Sequence, residues 1–133
     1  MREAGADRAL FAELNRHHWR GRLPRYRVLR VTEMPAQRGA VRGEYLGYAD
    51  HASRTVLVKR ALAGDALRAT LLHEMAHVAV EHLLDEHGRA PGWAPLDGSH
   101  GDRWRAEVAR LIAAGESCMR GELERFWGEL VVC

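Results

Sequence analysis

His73 and His77 stand four residues apart in the run His73-Glu74-Met75-Ala76-His77, with Glu74 directly after the first histidine. On an α-helix that spacing puts both imidazoles on one face, where they can reach a single tetrahedral Zn2+ at ~2.0–2.1 Å. Glu74 is turned about 100° further round the axis. Its carboxylate can therefore act on a water molecule without taking a coordination position. Two imidazoles and a carboxylate so placed form the general-base arrangement of zinc-dependent peptide hydrolysis. The bland alternative is a hydrogen-bonded pair of core histidines. Burying two histidines and a glutamate on a largely apolar helix costs free energy, however, and a metal would offset that cost.

A catalytic zinc needs a third protein ligand and one open position. Three histidines follow the pair: His82, His87 and His100. His82 comes five residues after His77, about 140° round the helix, and reads as a surface histidine on another face. His87 falls ~15 Å beyond His77 along the same axis and coordinates only if the helix stops early. His100 follows a turn-rich run containing Pro91, Gly92, Pro95 and Gly98, so the chain can fold it back onto the metal. His100 is the expected third ligand, with His87 in reserve. Tyr45, Tyr48 and Arg103 are candidates to stabilise an oxyanion. Asp97 and Asp102 flank His100, and either could orient a ligand imidazole or simply cap the loop.

The elements that must position these residues are legible in outline. A helix is expected over about 6–20, with Leu10, Phe11, Leu14 and His18 at helical spacing and Gly21 and Pro24 ending it. Three strands are expected at Tyr26–Val31, Val41–Tyr48 and Thr55–Lys59, with Gly39, Gly43 and Gly47 punctuating the middle one and predicting bulges or a poorly formed edge there. The His73/His77 helix should begin with Asp65 as N-cap and end at Gly88. A further helix should run from about Asp102 to Ala114 on a stripe of Trp104, Val108, Leu111 and Ile112. A last helix from about Glu122 would bury Leu123, Phe126, Trp127 and Leu130. Helix, three strands, then helices is an α+β pattern in one domain spanning 1–133.

The 133 residues carry a net charge of +2, distributed unevenly. Residues 1–60 hold 13 Lys/Arg against 6 Asp/Glu, and residues 61–133 hold 7 against 12. Arg16, Arg20, Arg22, Arg25, Arg27 and Arg30, with Trp19 and Tyr26 among them, suit a single-stranded DNA surface: guanidinium groups on phosphates and rings on unpaired bases. Compositional arginine bias gives the competing reading, a solvated helix end and edge strand. No run approaches the ~20 apolar residues of a membrane span, and the N-terminus lacks the apolar core of a secretory signal. Cys118 and Cys133 cannot form a disulfide framework or a four-cysteine zinc ribbon. A reducing cytoplasm is the expected compartment.

Three separated motifs together resemble the SprT-like zinc metallopeptidase family. Leu10-Phe11-Ala12-Glu13-Leu14-Asn15 followed by His18-Trp19-Arg20-Gly21-Arg22-Leu23-Pro24 is similar to the family's opening helix and its Gly-x-Leu-Pro turn. Thr70-Leu71-Leu72-His73-Glu74-Met75-Ala76-His77 resembles its catalytic helix. Ser99-His100-Gly101-Asp102-Arg103-Trp104 resembles the segment that carries its third zinc ligand, with Ser99 in place of Gly and Trp104 in place of Phe. The resemblance implies a minimal zincin-like fold, one catalytic Zn2+ on His73, His77 and His100, and Glu74 as acid/base. It also implies protein substrates, since the family includes a protease that degrades proteins crosslinked to DNA. The zinc ribbon of many bacterial members is missing. Two other classes compete: a nucleic-acid-binding module with a structural or vestigial zinc site, and a regulatory peptidase that also carries His-Glu-x-x-His but cuts a single repressor.

Overall fold

The computed structural model describes residues 2–34, 46–83 and 101–121. Chain order is α1 (Gly5–Trp19), β1 (Arg27–Val31), β2 (Gly47–Asp50), β3 (Thr55–Lys59), α2 (Gly64–His82) and α3 (Asp102–Ala113), followed by a 3-10 turn at Ser117–Met119. The arrangement is α+β. The expected C-terminal helix from Glu122 lies outside the described residues, as do Cys133 and the Val41–Tyr45 part of the middle strand.

α1 buries Phe11, Leu14, His18 and Trp19 on one face. It stops where Arg20 enters the left-handed region at φ 54, followed by Gly21 at φ 73. The turn is then fixed by Asn15, whose side chain brackets the backbone of Leu23. Its Nδ2 donates to the Leu23 carbonyl at 3.0 Å, and its Oδ1 accepts from the Leu23 amide at 3.1 Å. One amide side chain thus does what a strand partner would do, and it aims the chain into β1.

The sheet has the order β1-β3-β2. β1 runs parallel to β3, with Val28 opposite Val56 and Arg30 opposite Val58. β2 runs antiparallel to β3 through a tight hairpin, with Gly47 opposite Val58 and Tyr48 opposite Leu57. Arg54 takes φ 51 in that hairpin, and Asp50 accepts from the Ser53 hydroxyl and the Ala52 amide. Among the described residues β2 covers Gly47–Asp50 and so reaches two residues past the expected end at Tyr48. Val28, Val56 and Val58 are fully buried.

α2 has the sheet on one side and α3 on the other, so a run of neighbours, Leu71, Leu72, Met75, Ala76 and Val78, is sealed all round. Its start differs from expectation. The chain turns in through Gly64 at φ 55, so Ala63 is the cap, without a side-chain cap bond, and Asp65 lies inside the first turn. There its carboxylate still faces the positive end of the helix dipole. The end differs as well: α2 stops at His82, with Leu83 in an extended conformation.

A buried ionic cluster ties the helices together. Arg68 of α2 donates through Nε and a terminal nitrogen to both carboxylate oxygens of Glu116, each at 2.6 Å, and His18 Nε2 lies 2.7 Å from the same carboxylate. The Arg68 hydrogen bonds, aided by His18, hold the Glu116 carboxyl down at about 2 against an ordinary 4.5. Because the folded value is depressed, the stabilisation is complete above about 4.5 and is lost as pH falls toward 2. Glu116→Gln should cost about 2 kcal/mol at neutral pH and flatten the acid limb of stability. Urea melts between pH 7 and pH 2 check both expectations.

Candidate metal centre

The burial of α2 decides the character of the site. His73 is 7% exposed and Glu74 4% exposed, while His77 is half-buried at the mouth of the group. One ligand atom from each of His73, Glu74 and His77 lies within 4.8 Å of the others. The imidazole centroids are 5.1 Å apart, as one helical turn requires. Glu74 Oε2 stands 3.8 Å from His73 Nε2. Two imidazole nitrogens suit a borderline cation such as Zn2+, and the group is compact enough that it could hold one. Among the described residues, this is the one group of three His, Cys, Asp or Glu side chains with that convergence.

Two neighbours that were not among the expected site residues shape the trio. Trp104 of α3 is 1% exposed and forms a wall for both rings. It stacks on His77 at 5.5 Å with an interplanar angle of 23°, and its centroid is 4.8 Å from that of His73. Its indole N–H donates to the His73 carbonyl at 3.2 Å, so α3 is registered against the helix turn that carries the ligands. Trp104 belongs to the core stripe of α3, and the face it turns to His73 and His77 also limits where the imidazoles can turn.

The second neighbour is Gly47 at the start of β2. A Cβ there would stand 2.8 Å from Thr70 Cγ2, 3.1 Å from Glu74 Oε2 and 3.3 Å from Glu74 Cγ. The strand backbone thus lies directly against the Glu74 carboxylate, and only glycine permits the approach. Glycine in a strand marks either a bulge or such a close approach, so the sequence held the signal while leaving the choice open.

The remaining expected site residues separate. His100, His87, Tyr45 and Asp97 lie outside the described residues. The end of α2 at His82 removes the helical geometry that had set His87 aside. Arg103 donates to the Leu83 carbonyl at 3.0 Å and so binds the C-terminal end of α2 to α3. Tyr48 is half-buried in β2. The Asp102 side chain is 87% exposed and 3.8 Å from Arg105, so it orients neither His73 nor His77. His82 is no simple surface residue: its Nε2 is 2.7 Å from the Tyr26 hydroxyl.

The arginine cluster also divides. Arg30 is a structural clamp, bidentate to Asp7 at 2.8 and 3.1 Å and donating to the carbonyls of Lys59 and Leu62. Trp19 and Tyr26 are each 1% exposed, so neither ring offers a stacking platform for a base. Arg16, Arg20, Arg22, Arg25 and Arg27 remain exposed, although Arg25 pairs with Glu3 at 3.1 Å. What survives of the DNA expectation is phosphate pairing alone.

Comparison with known proteins finds no match: no family model, no curated protein and no solved structure is significantly similar to this chain. No helix among the described residues is long and apolar enough to cross a membrane.

Gly47→Ala should push the Glu74 carboxylate and Thr70 apart, destabilising the fold by about 1–3 kcal/mol. Its effect on any hydrolytic activity should be larger than its effect on metal content, because the added methyl meets Glu74 and neither imidazole. Parallel measurement of bound metal and of turnover tests this separation.

Proposed function

We propose that the chain is a zinc-dependent endopeptidase of the SprT-like kind. The observation that carries the reading is the convergence of His73, Glu74 and His77 within 4.8 Å on one buried stretch of helix. His73 and His77 would hold the metal, with His100 completing the protein ligands. Zn2+ bound there supplies Lewis acidity, which polarises the scissile carbonyl and makes water acidic enough to attack near neutral pH. Glu74 serves as general base, taking the proton of the attacking water on its carboxylate, and then as general acid, returning it to the departing amine.

The surrounding elements support that division of labour. Trp104 limits the turning of both imidazoles, and Gly47 lets the β2 backbone lie beside Glu74. Among the described residues β2 is an edge strand. A peptide in extended conformation can add to such an edge through main-chain hydrogen bonds, which would bring its backbone close to Glu74. Preference for unfolded or extended protein segments follows from that mode of capture.

Glu74→Gln is nearly isosteric but cannot accept the proton. It should keep zinc at the wild-type level while lowering casein hydrolysis by a factor of at least about 100. Undiminished hydrolysis would remove Glu74 from the mechanism. His100→Ala should lose tight zinc binding, and His87→Ala should keep it. The opposite pattern in elemental analysis of dialysed protein would move the third ligand to His87.

A further inference from the structure

A second group of side chains of metal-ligating types converges at the last turn of α2. The Tyr26 hydroxyl lies 2.7 Å from His51 Nδ1 and 2.7 Å from His82 Nε2. The three rings come from three parts of the fold: the entry to β1, the β2–β3 hairpin and the last turn of α2. Their centroids are 5.8, 5.8 and 6.2 Å apart, with every pair edge to face. Tyr26 is 1% exposed, whereas both histidines are half-buried and border solvent. The donor atoms thus meet at the surface end of a buried phenol.

Hydrogen-bond arithmetic leaves this trio with room for a cation. A phenol has one proton, so it can donate to only one of the two imidazoles, and the other must donate to the phenol oxygen. A metal in place of the phenol proton, with the donating imidazole shifting its own proton to its other ring nitrogen, would satisfy all three donor atoms at once. A tetrahedral sphere with ~2.0–2.1 Å bonds sets its ligand atoms about 3.3 Å apart. The 2.7 Å contacts therefore need to open by about half an ångström, which small side-chain rotations supply.

We propose that Tyr26, His51 and His82 form a second, independent site for a borderline divalent cation, Zn2+ or Cu2+. Two imidazoles and an anionic oxygen are a donor set that both ions accept. The charged groups that face the trio are mixed in sign. Asp50 and Glu81 act on Tyr26 as negative neighbours and favour a cation, while Arg54 opposes it. Burial holds His82 below its ordinary 6.5, which keeps that imidazole in the neutral form that coordinates. Burial also pushes the Tyr26 hydroxyl up to about 12, so binding must displace its proton, and a proton is released to solvent for each ion taken up. Bound metal would tie the β2–β3 hairpin to the end of α2.

The test uses the full chain loaded separately with Zn2+ and with Cu2+, followed by dialysis and elemental analysis. Wild type should hold one more equivalent than the His51→Gln/His82→Gln double variant. The copper form should show a visible phenolate-to-copper charge-transfer absorption. Tyr26→Phe, which keeps the ring in the core, should abolish that band, and His73→Ala should leave it intact. Retention of the band in His73→Ala separates this site from the proposed peptidase centre, so either can fail without the other. Metal content in the double variant equal to wild type would overturn the proposal. So would a copper form without the visible band, since the trio would then be a hydrogen-bonded strut only.

Discussion

The structure depends on one constraint: α2 must be buried on nearly all sides while carrying two histidines and a glutamate. Leu71, Leu72, Met75, Ala76 and Val78 are fully enclosed, so the turns that bear His73 and Glu74 cannot move away from the core. Groups of this kind are costly to bury unless paired, hydrogen-bonded or metal-bound. The sheet and α3 supply part of the compensation through the Trp104 hydrogen bond to the His73 carbonyl and the ring contacts.

Around that helix, polar contacts do the positioning that apolar packing cannot. The Arg68–Glu116–His18 cluster fixes α1 and the segment after α3 to the first half of α2. Arg103 and the Leu83 carbonyl fix α3 to the other end. Arg30, gripping Asp7 and the carbonyls of Lys59 at the end of β3 and Leu62 just after it, locks β1 and β3 to α1. Each link is directional, so together they set the rotation of α2 about its own axis. That rotation decides what the His73/His77 face meets, here the Trp104 ring.

Much of this was legible in residue order because it rests on periodicity. The i, i+4 spacing of His73 and His77 and the apolar stripes of α1 and α3 mark helices whatever surrounds them, and the valines of β3 read plainly as a buried strand. What escaped depends on partners distant in sequence. Arg30 looked like one of six phosphate-binding arginines until Asp7 stood beside it, and Trp19 and Tyr26 looked like stacking rings until the core closed over them. Asp65 fits the cap preference, but Gly64 at φ 55 moves the helix start ahead of it. Gly47 signalled an irregular strand, and only the approach of Glu74 explains why no side chain fits there. His82 falls on a different helix face from His77, as the spacing required, yet its partners Tyr26 and His51 could not be paired with it from sequence.

The central claim is that His73 and His77 bind one zinc ion through their imidazoles, and the most direct measurement is X-ray absorption at the zinc edge of the zinc-loaded chain. To keep the Tyr26 trio out of the signal, the spectrum is taken on the His51→Gln/His82→Gln variant. The account predicts nitrogen or oxygen neighbours at ~2.0–2.1 Å together with the outer-shell scattering of at least two imidazoles, lost when His73 and His77 are both replaced. A spectrum without imidazole scattering, or one that survives that double replacement unchanged, would contradict it.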